Sequence, residues 1–476
     1  MIGNQRLDKY LPARLFSPDY QKIVRIAIIA GVFLISFIIA VASDIRLGLG
    51  VLGLLVAAVS VIILLRKQAL GLVILIIAAM FIPTPEVGGT GGYLIPPILL
   101  AVLLLGLWVL NMLARYRRIK FVRSRTLVPA IALGITAIIA FLNGRILYNS
   151  FAQLAPLQAQ IGGLAAFIFS IGVFLLAANL IDDEVWLRRI VWVFIALCGF
   201  YILGRITPFT GRFIRPLFQY GVDSSSLWIW LVAMTSSQVL CNPQLSRRLR
   251  WVLVGILAAT IYVSFGLFYD WKSGWLPAMV ALFVIIWIGV PRIRVIGIYL
   301  AIFFSVLYIL GNVSQLITGG EDYSILTRFA AWQIVLEIIK VNPILGLGMS
   351  NYYWYTPLYS VLGYRGVHFS SHNNYIDILA QTGLIGLGLF LWLAYEIGRL
   401  GWELHQRVPV GFPRAYVIGV LGGLAGMLVS GMLGDWFLPF VYNVGLHGMR
   451  SSLIGWLFLG GLVALEEIYR NKPAST

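Results

Sequence analysis

Two of the chain's four histidines, His368 and His372, stand four residues apart in HFSSHNNYIDILAQTGLIGLG (368–388), followed by Asn373, Asn374, Asp377 and Gln381. The cluster opens an otherwise apolar run, where each unpartnered polar group costs on the order of several kcal/mol. Three chemistries can use it. A four-residue spacing puts both imidazoles on one helical face, as a metal pair requires, but the loops expected on the same side of the membrane offer no second histidine cluster and no acidic pair beyond Glu321 and Asp322 as further ligands. Alternatively Ser371 or Asn373 caps the incoming helix and the histidines only donate hydrogen bonds. The third use is general-base catalysis, in which a neutral imidazole takes the proton of a hydroxyl as its oxygen attacks an activated carbon. Asn374, Asp377 and Gln381 recur at three and four and form a polar face able to orient base or acceptor. No G-x-S-x-G elbow lies nearby, so a serine nucleophile is not supported.

These residues must be positioned by a membrane-embedded scaffold. The chain has 476 residues, of which 60% are hydrophobic and only 11% charged, with a mean hydropathy of +0.92. Repeated apolar runs of roughly twenty residues predict an all-α, polytopic helical bundle with about fourteen transmembrane helices. Expected segments are a basic cytoplasmic leader over 1–22, a bundle of about eleven spans over 23–311, a large outward loop over 312–372, about three further spans over 373–468 and a cytoplasmic tail over 469–476. The formal charge of +17 comes from short basic clusters between apolar runs, not from a continuous stripe, so no nucleic-acid partner is expected. With the amino terminus inside, most lysines and arginines fall on the inner side, including the dense ARYRRIKFVRSR cluster, and both termini are cytoplasmic. Cys198 and Cys241 give no disulfide or zinc framework.

Most of the outward basic residues then gather in three loops. Arg205, Arg212 and Arg215 share GRITPFTGRFIRPLFQYG, Lys272 sits in FYDWKSGWL, and Arg328, Lys340 and Arg365 lie in the large loop. Such side chains could snorkel to lipid headgroups, or they could form an anion site, for which the planar, permanently charged guanidinium is well suited. Within the loop, Ile325, Phe329, Trp332, Val335, Leu336 and Ile339 recur at helical spacing and predict an amphipathic helix on or in the outer leaflet. Asn342-Pro343 ends it, and NYYWYTPLYS follows, suited either to a membrane interface or to stacking on sugar rings.

SHNNYIDILAQTGLIGLG and, before it, RFAAWQIVLEIIKVNPILGLGMSNY resemble the signature blocks of the O-antigen ligase and O-antigen polymerase family of bacterial envelope glycosyltransferases, in the family's order. FYDWKSGWL is similar to its serine block, with lysine before the serine where arginine after it is more usual. The resemblance implies a GT-C-like, metal-independent, inverting glycosyltransferase without a cofactor, facing outward from the bacterial cytoplasmic membrane. Its donor would be an undecaprenyl-pyrophosphate-linked oligosaccharide and its acceptor a glycan or lipid-linked hydroxyl, both reached among membrane lipids. On that basis His372 is expected as general base, Arg328 and Arg215 on the donor pyrophosphate, Arg212 and Lys272 assisting, and His368, Asn373, Asn374 and Asp377 supporting. A multispan lipid-glycan flippase or transporter is the alternative class, although no internal repeat is visible.

Overall fold

The computed structural model describes residues 64–65, 67–84, 86–87, 92–93, 95–118, 120–268, 270–295, 298–299, 302, 306 and 323–470. The expected leader, the start and most of the end of the expected bundle over 23–311, the start of the large loop and the end of the tail lie outside them. From Gln68 onward the described residues belong to one compact unit.

That unit is helical. In chain order it comprises α1 (Gln68–Phe81), a two-residue antiparallel ribbon pairing β1 (Glu86–Val87) with β2 (Gly92–Tyr93), α2 (Pro96–Tyr116), α3 (Leu127–Asn143), α4 (Leu157–Leu180), α5 (Glu184–Ile206) and the short α6 (Pro208–Ile214). Then follow α7 (Ser225–Cys241), α8 (Arg247–Ile261), α9 (Lys272–Gly289), α10 (Tyr323–Ile339), α11 (Tyr352–Tyr355), α12 (Asn374–Arg407), α13 (Phe412–Leu433) and α14 (Met449–Arg470). Eight described helices are long and apolar enough to cross a membrane, and α1, α3 and α7 are shorter apolar helices. The chain is therefore a multi-pass helical membrane protein, in which each span satisfies its own backbone.

Helix α7 is buried on all sides from Ser225 to Gln238; Ser236 and Ser237 turn their hydroxyls back onto its own carbonyls, at Val232 (2.6 Å) and Met234 (3.2 Å), while Ser225 and Ser226 donate to Gly274 O and Trp436 O. Helix α13 packs closely on α7 and α9 because it presents glycine: a side chain on Gly422 or Gly426 would put Cβ 2.7 or 2.8 Å from the carbonyl oxygens of Ala281 and Pro277 in α9. Those oxygens belong to backbone that cannot step aside, so the glycines permit the helix approach.

Two features depart from the pattern read in the sequence. The span that hydropathy predicts over 373–395 continues, as α12, to Arg407 and is broken at Gly383, whose φ of 68° and ψ of −170° are non-helical. The NPILGLG run after α10 docks into that break. Leu384 N–H donates to Pro343 O at 2.8 Å, and Leu347 N–H to Ala380 O at 2.8 Å, so the groups freed by the kink find partners in this inserted segment. Helix α10 forms where expected, but its apolar row divides. Val335 and Ile339 are buried, together with Ile338, in a cluster with Tyr352, Ile376 and Phe440, whereas Phe329 and Leu336 face outward. Helix α10 is thus a wall of the site beneath it as well as an exposed apolar ridge.

Candidate active site

The turn before α12 carries His372. Asn373 caps the helix, its side-chain oxygen accepting from the backbone N–H of Tyr375 at 2.9 Å and of Ile376 at 3.4 Å. Ser371 is fixed from three directions. Its carbonyl accepts from Trp332 Nε1 at 2.7 Å, its N–H donates to the Tyr352 hydroxyl at 3.2 Å, and its own hydroxyl donates to Asp377 Oδ1 at 2.7 Å. Tyr352 also donates to Asp377 Oδ1, at 2.5 Å, so the buried carboxylate ties α11 to the first turn of α12. Between these anchors the backbone of His372 takes φ +49°, in the left-handed region that a residue with a Cβ rarely occupies. A conformation of this kind costs roughly 1–3 kcal/mol and persists only where its surroundings impose it.

The imidazole of His372 is half-buried, and its Nδ1 lies 2.8 Å from Asn443 Nδ2. The same amide nitrogen donates to Asp435 Oδ1, and Asp435 Oδ2 accepts from Phe440 N–H at 2.8 Å. Burial, and secondarily the charge of Arg328, hold the His372 imidazole below its usual pKa, so that it stays neutral near pH 7. Burial also pushes the Asp435 carboxyl up to about 6. Arg328 Nη1 donates at 2.7 Å to the carbonyl of Leu433, the last residue of α13, where a cation complements the helix terminus. Asn374 closes the arrangement: its oxygen accepts from Phe437 and Leu438 N–H at 2.8 and 3.1 Å, and its nitrogen donates to Leu438 O at 2.7 Å, clamping the loop between α13 and α14.

Beside that loop lies a cavity of about 500 Å³ lined by Arg205, Arg215, Asp223 and the aromatic rings of Tyr201, Phe218, Tyr220, Phe268, Trp271 and Trp436. Val444, the neighbour of Asn443, also lines it, so one loop holds the imidazole and walls the cavity. Arg205 pairs with Asp223 and lies 5.2 Å from the ring centres of Tyr201 and Phe268. Arg215 Nε donates to Gly204 O at 3.2 Å.

The expected residues therefore separate into groups. His372, Arg328, Asn373, Asn374 and Asp377 converge on one turn. Arg215 faces the adjoining cavity, and Lys272, half-buried at the start of α9, follows the cavity residue Trp271. Arg212 is exposed on α6 and does not line the cavity. His368 is not paired with His372: it is exposed, stacked 5.0 Å from Tyr353 with its Nδ1 3.0 Å from the Tyr353 carbonyl, and edge-on to Trp354. Gln381 is structural, its oxygen accepting from Ser350 N–H and its nitrogen donating to Asp377 O. The reading from sequence missed Asp435 and Asn443, and named Arg205 only among the outward basic residues, not among those assigned to the donor. The available signal was in GDWFLPFVYNVGLHG, whose lone acid and amide lie among aromatic residues in a loop on the same expected side as His372.

Fold and site together define a multi-pass helical membrane protein with a histidine-arginine centre at one end of its bundle. Residues 222–391 match the family model described as O-antigen ligase, the family whose signature blocks the sequence resembles. A protein of Rickettsia typhi named "Putative polysaccharide ligase" is 36% identical over 75 residues, covering 14% of this chain and 18% of the relative. A protein of the same name from Rickettsia prowazekii matches to the same extent. The match thus spans under a fifth of either relative. The family segment contains Lys272, Arg328, His368, His372 and Asp377, whereas Arg205, Arg215, Asp435 and Asn443 lie outside it.

Proposed function

We propose that this protein is a membrane glycosyltransferase of the O-antigen ligase or polymerase type, working on the outer face of the bacterial cytoplasmic membrane. It would transfer a glycan from an undecaprenyl-pyrophosphate-linked donor to an acceptor hydroxyl on a glycan or lipid carrier. One observation carries this reading: a neutral, half-buried imidazole is held in a constrained backbone at a helix mouth, with the Arg328 guanidinium acting on it.

In the proposed reaction the acceptor oxygen attacks the anomeric carbon as the bond from that carbon to the pyrophosphate oxygen breaks. His372 takes the hydroxyl proton, and the electron pair of the broken bond leaves with the lipid pyrophosphate. Attack opposite the leaving group inverts the anomeric centre. Arg328 and Arg215 stabilise charge that grows on the leaving group, which is the electrostatic service otherwise given by a divalent cation. Arg212 and Lys272 stand further out as aids to donor capture. The aromatic cavity suits sugar rings, whose apolar faces stack on tyrosine and tryptophan.

The test is reconstitution of the purified protein with a lipid-pyrophosphate glycan and candidate acceptors, with and without EDTA. Glycan transfer is expected to continue in EDTA and to be abolished by His372→Ala at equal expression. Wild-type product yield from His372→Ala would refute the assignment of the base. Complete loss of transfer in EDTA would refute the metal-free reaction.

A further inference from the structure

General-base action by His372 leaves open which ring nitrogen carries the proton of the neutral imidazole, and the loop between α13 and α14 bears on that choice. A neutral imidazole has one donor and one acceptor nitrogen. Asn443 touches Nδ1, and Asp435 touches the same end of the Asn443 amide. We propose, resting on His372 as the base, that Asp435 and Asn443 are positioning residues that select the tautomer of His372 through the orientation of the Asn443 amide.

The hydrogen-bond bookkeeping allows two arrangements. With Asp435 ionised, Asn443 Nδ2 donates one hydrogen to Asp435 Oδ1 and its other hydrogen to His372 Nδ1. The imidazole proton then sits on Nε2, and the outer nitrogen is a donor, unable to accept a hydroxyl proton. With Asp435 protonated, a half turn of the amide brings Oδ1 to the same position. It accepts from Asp435 and from His372 Nδ1–H, and Nε2 presents its lone pair to the acceptor. One proton on Asp435 thereby opens the base.

Burial pushes the Asp435 carboxyl up to about 6, so that this proton is exchanged near neutral pH. Asp435 is fully buried, and its charge is felt by the buried Asp377 carboxylate of α12 and by the Tyr352 hydroxyl of α11. Two carboxylates buried within reach of each other oppose joint ionisation. Asp377 accepts two hydroxyl donors, from Tyr352 and Ser371, both on Oδ1. The Asp435 carboxyl accepts the Phe440 N–H through Oδ2, which leaves Oδ1 for the proton given to Asn443. The charged group acting on His372 itself is Arg328 of α10, which opposes a second proton on the ring.

The experiment combines ¹⁵N spectroscopy of histidine-labelled protein with transfer rates across pH, using wild type, Asp435→Asn and Asn443→Ala. The chain has four histidines, so the His372 signals are assigned by difference from His372→Gln. In wild type the His372 tautomer is expected to change from Nδ1–H to Nε2–H as pH rises through the Asp435 titration, with kcat falling about tenfold per pH unit above it and KM unchanged. Asp435→Asn places a permanent donor where the protonated acid stood. Its tautomer should stay Nδ1–H and its alkaline loss of kcat should vanish. Asn443→Ala, a change at an exposed position, should remove the pH-linked exchange even if the buried Asp435 variant fails to fold. A His372 tautomer that follows the wild-type pH course in either folded variant overturns the proposal. The spectroscopic readout needs no turnover, so it fails separately from the base assignment: an active His372→Ala protein would refute the base, whatever the tautomer does.

Discussion

At the scale of single residues, a half-buried imidazole stands under the influence of a guanidinium, and the proposed reaction uses the first as base and the second against negative charge. His372 is held below its usual pKa by burial and by Arg328. The sign for activity follows directly. Lowering pH adds a proton to His372 only below the usual value of about 6.5, so the acid loss of transfer should lie below that pH, as read from kcat/KM profiles. Arg328→Gln removes the neighbouring cation and should move this acid limb upward, towards the usual value, while also weakening donor binding. An unmoved limb would mean that Arg328 does not act on the base. Arg328→Lys keeps the charge but loses the planar fork, and a drop in kcat/KM of roughly ten- to a hundredfold is expected from one lost charge-assisted contact. The general base itself contributes about 10²- to 10⁴-fold, which sets the loss expected for His372→Ala.

At the scale of elements, the glycine-rich runs that marked the sequence have a mechanical reason. LAQTGLIGLG breaks α12 at Gly383, and NPILGLG fills the break, so two motifs separated in the chain are two halves of one joint. Hydropathy could place α12 but not the break, because the partners of the freed backbone groups come from a segment about forty residues earlier. Gly383→Ala introduces a side chain where φ is +68° and where Cβ would lie 2.0 Å from the Ile344 carbonyl. The left-handed backbone alone costs about 1–2 kcal/mol, and the carbonyl must also shift. A clear fall in Tm is expected in detergent, with transfer lost because α11 and the His372 turn are seated on the same joint. An unchanged Tm would show that the joint carries no stability. Asn374→Ala tests the opposite side of the site: three backbone groups of the loop at Phe437 and Leu438 lose their partner, each at about 1–3 kcal/mol if left dry. Hydrogen exchange should rise first in that loop. Polar residues 373–377 were legible as a cluster, but their division into cap, clamp and anchor was not, since each partner lies on another element.

At the scale of the whole molecule, the charges separate along the bundle. The ends of α5 and α13 and the starts of α7, α9 and α12 frame the imidazole and the cavity. At the opposite ends Arg125 forms a bidentate pair with Glu403, Arg250 donates to the Asn242 carbonyl and Arg414 to the Val408 carbonyl. The membrane class and the helix positions were legible because hydropathy is a local signal. The site was only half legible because Asp435 and Asn443 reach it through tertiary contact. Basic residues crowding the far end support an orientation with that end in the cytoplasm and the site outside. A transferase built this way acts on donor and acceptor presented to the same end, whereas a flippase must expose its substrate to both ends in turn. In proteoliposomes of a single orientation, product should therefore form when lipid-linked donor and acceptor share the leaflet at the site end, and donor confined to the other leaflet should remain unconsumed and stay there. Movement of lipid-linked glycan between leaflets without a new glycosidic bond would reverse the assignment, because an enzyme with one-sided chemistry gives that movement no driving step.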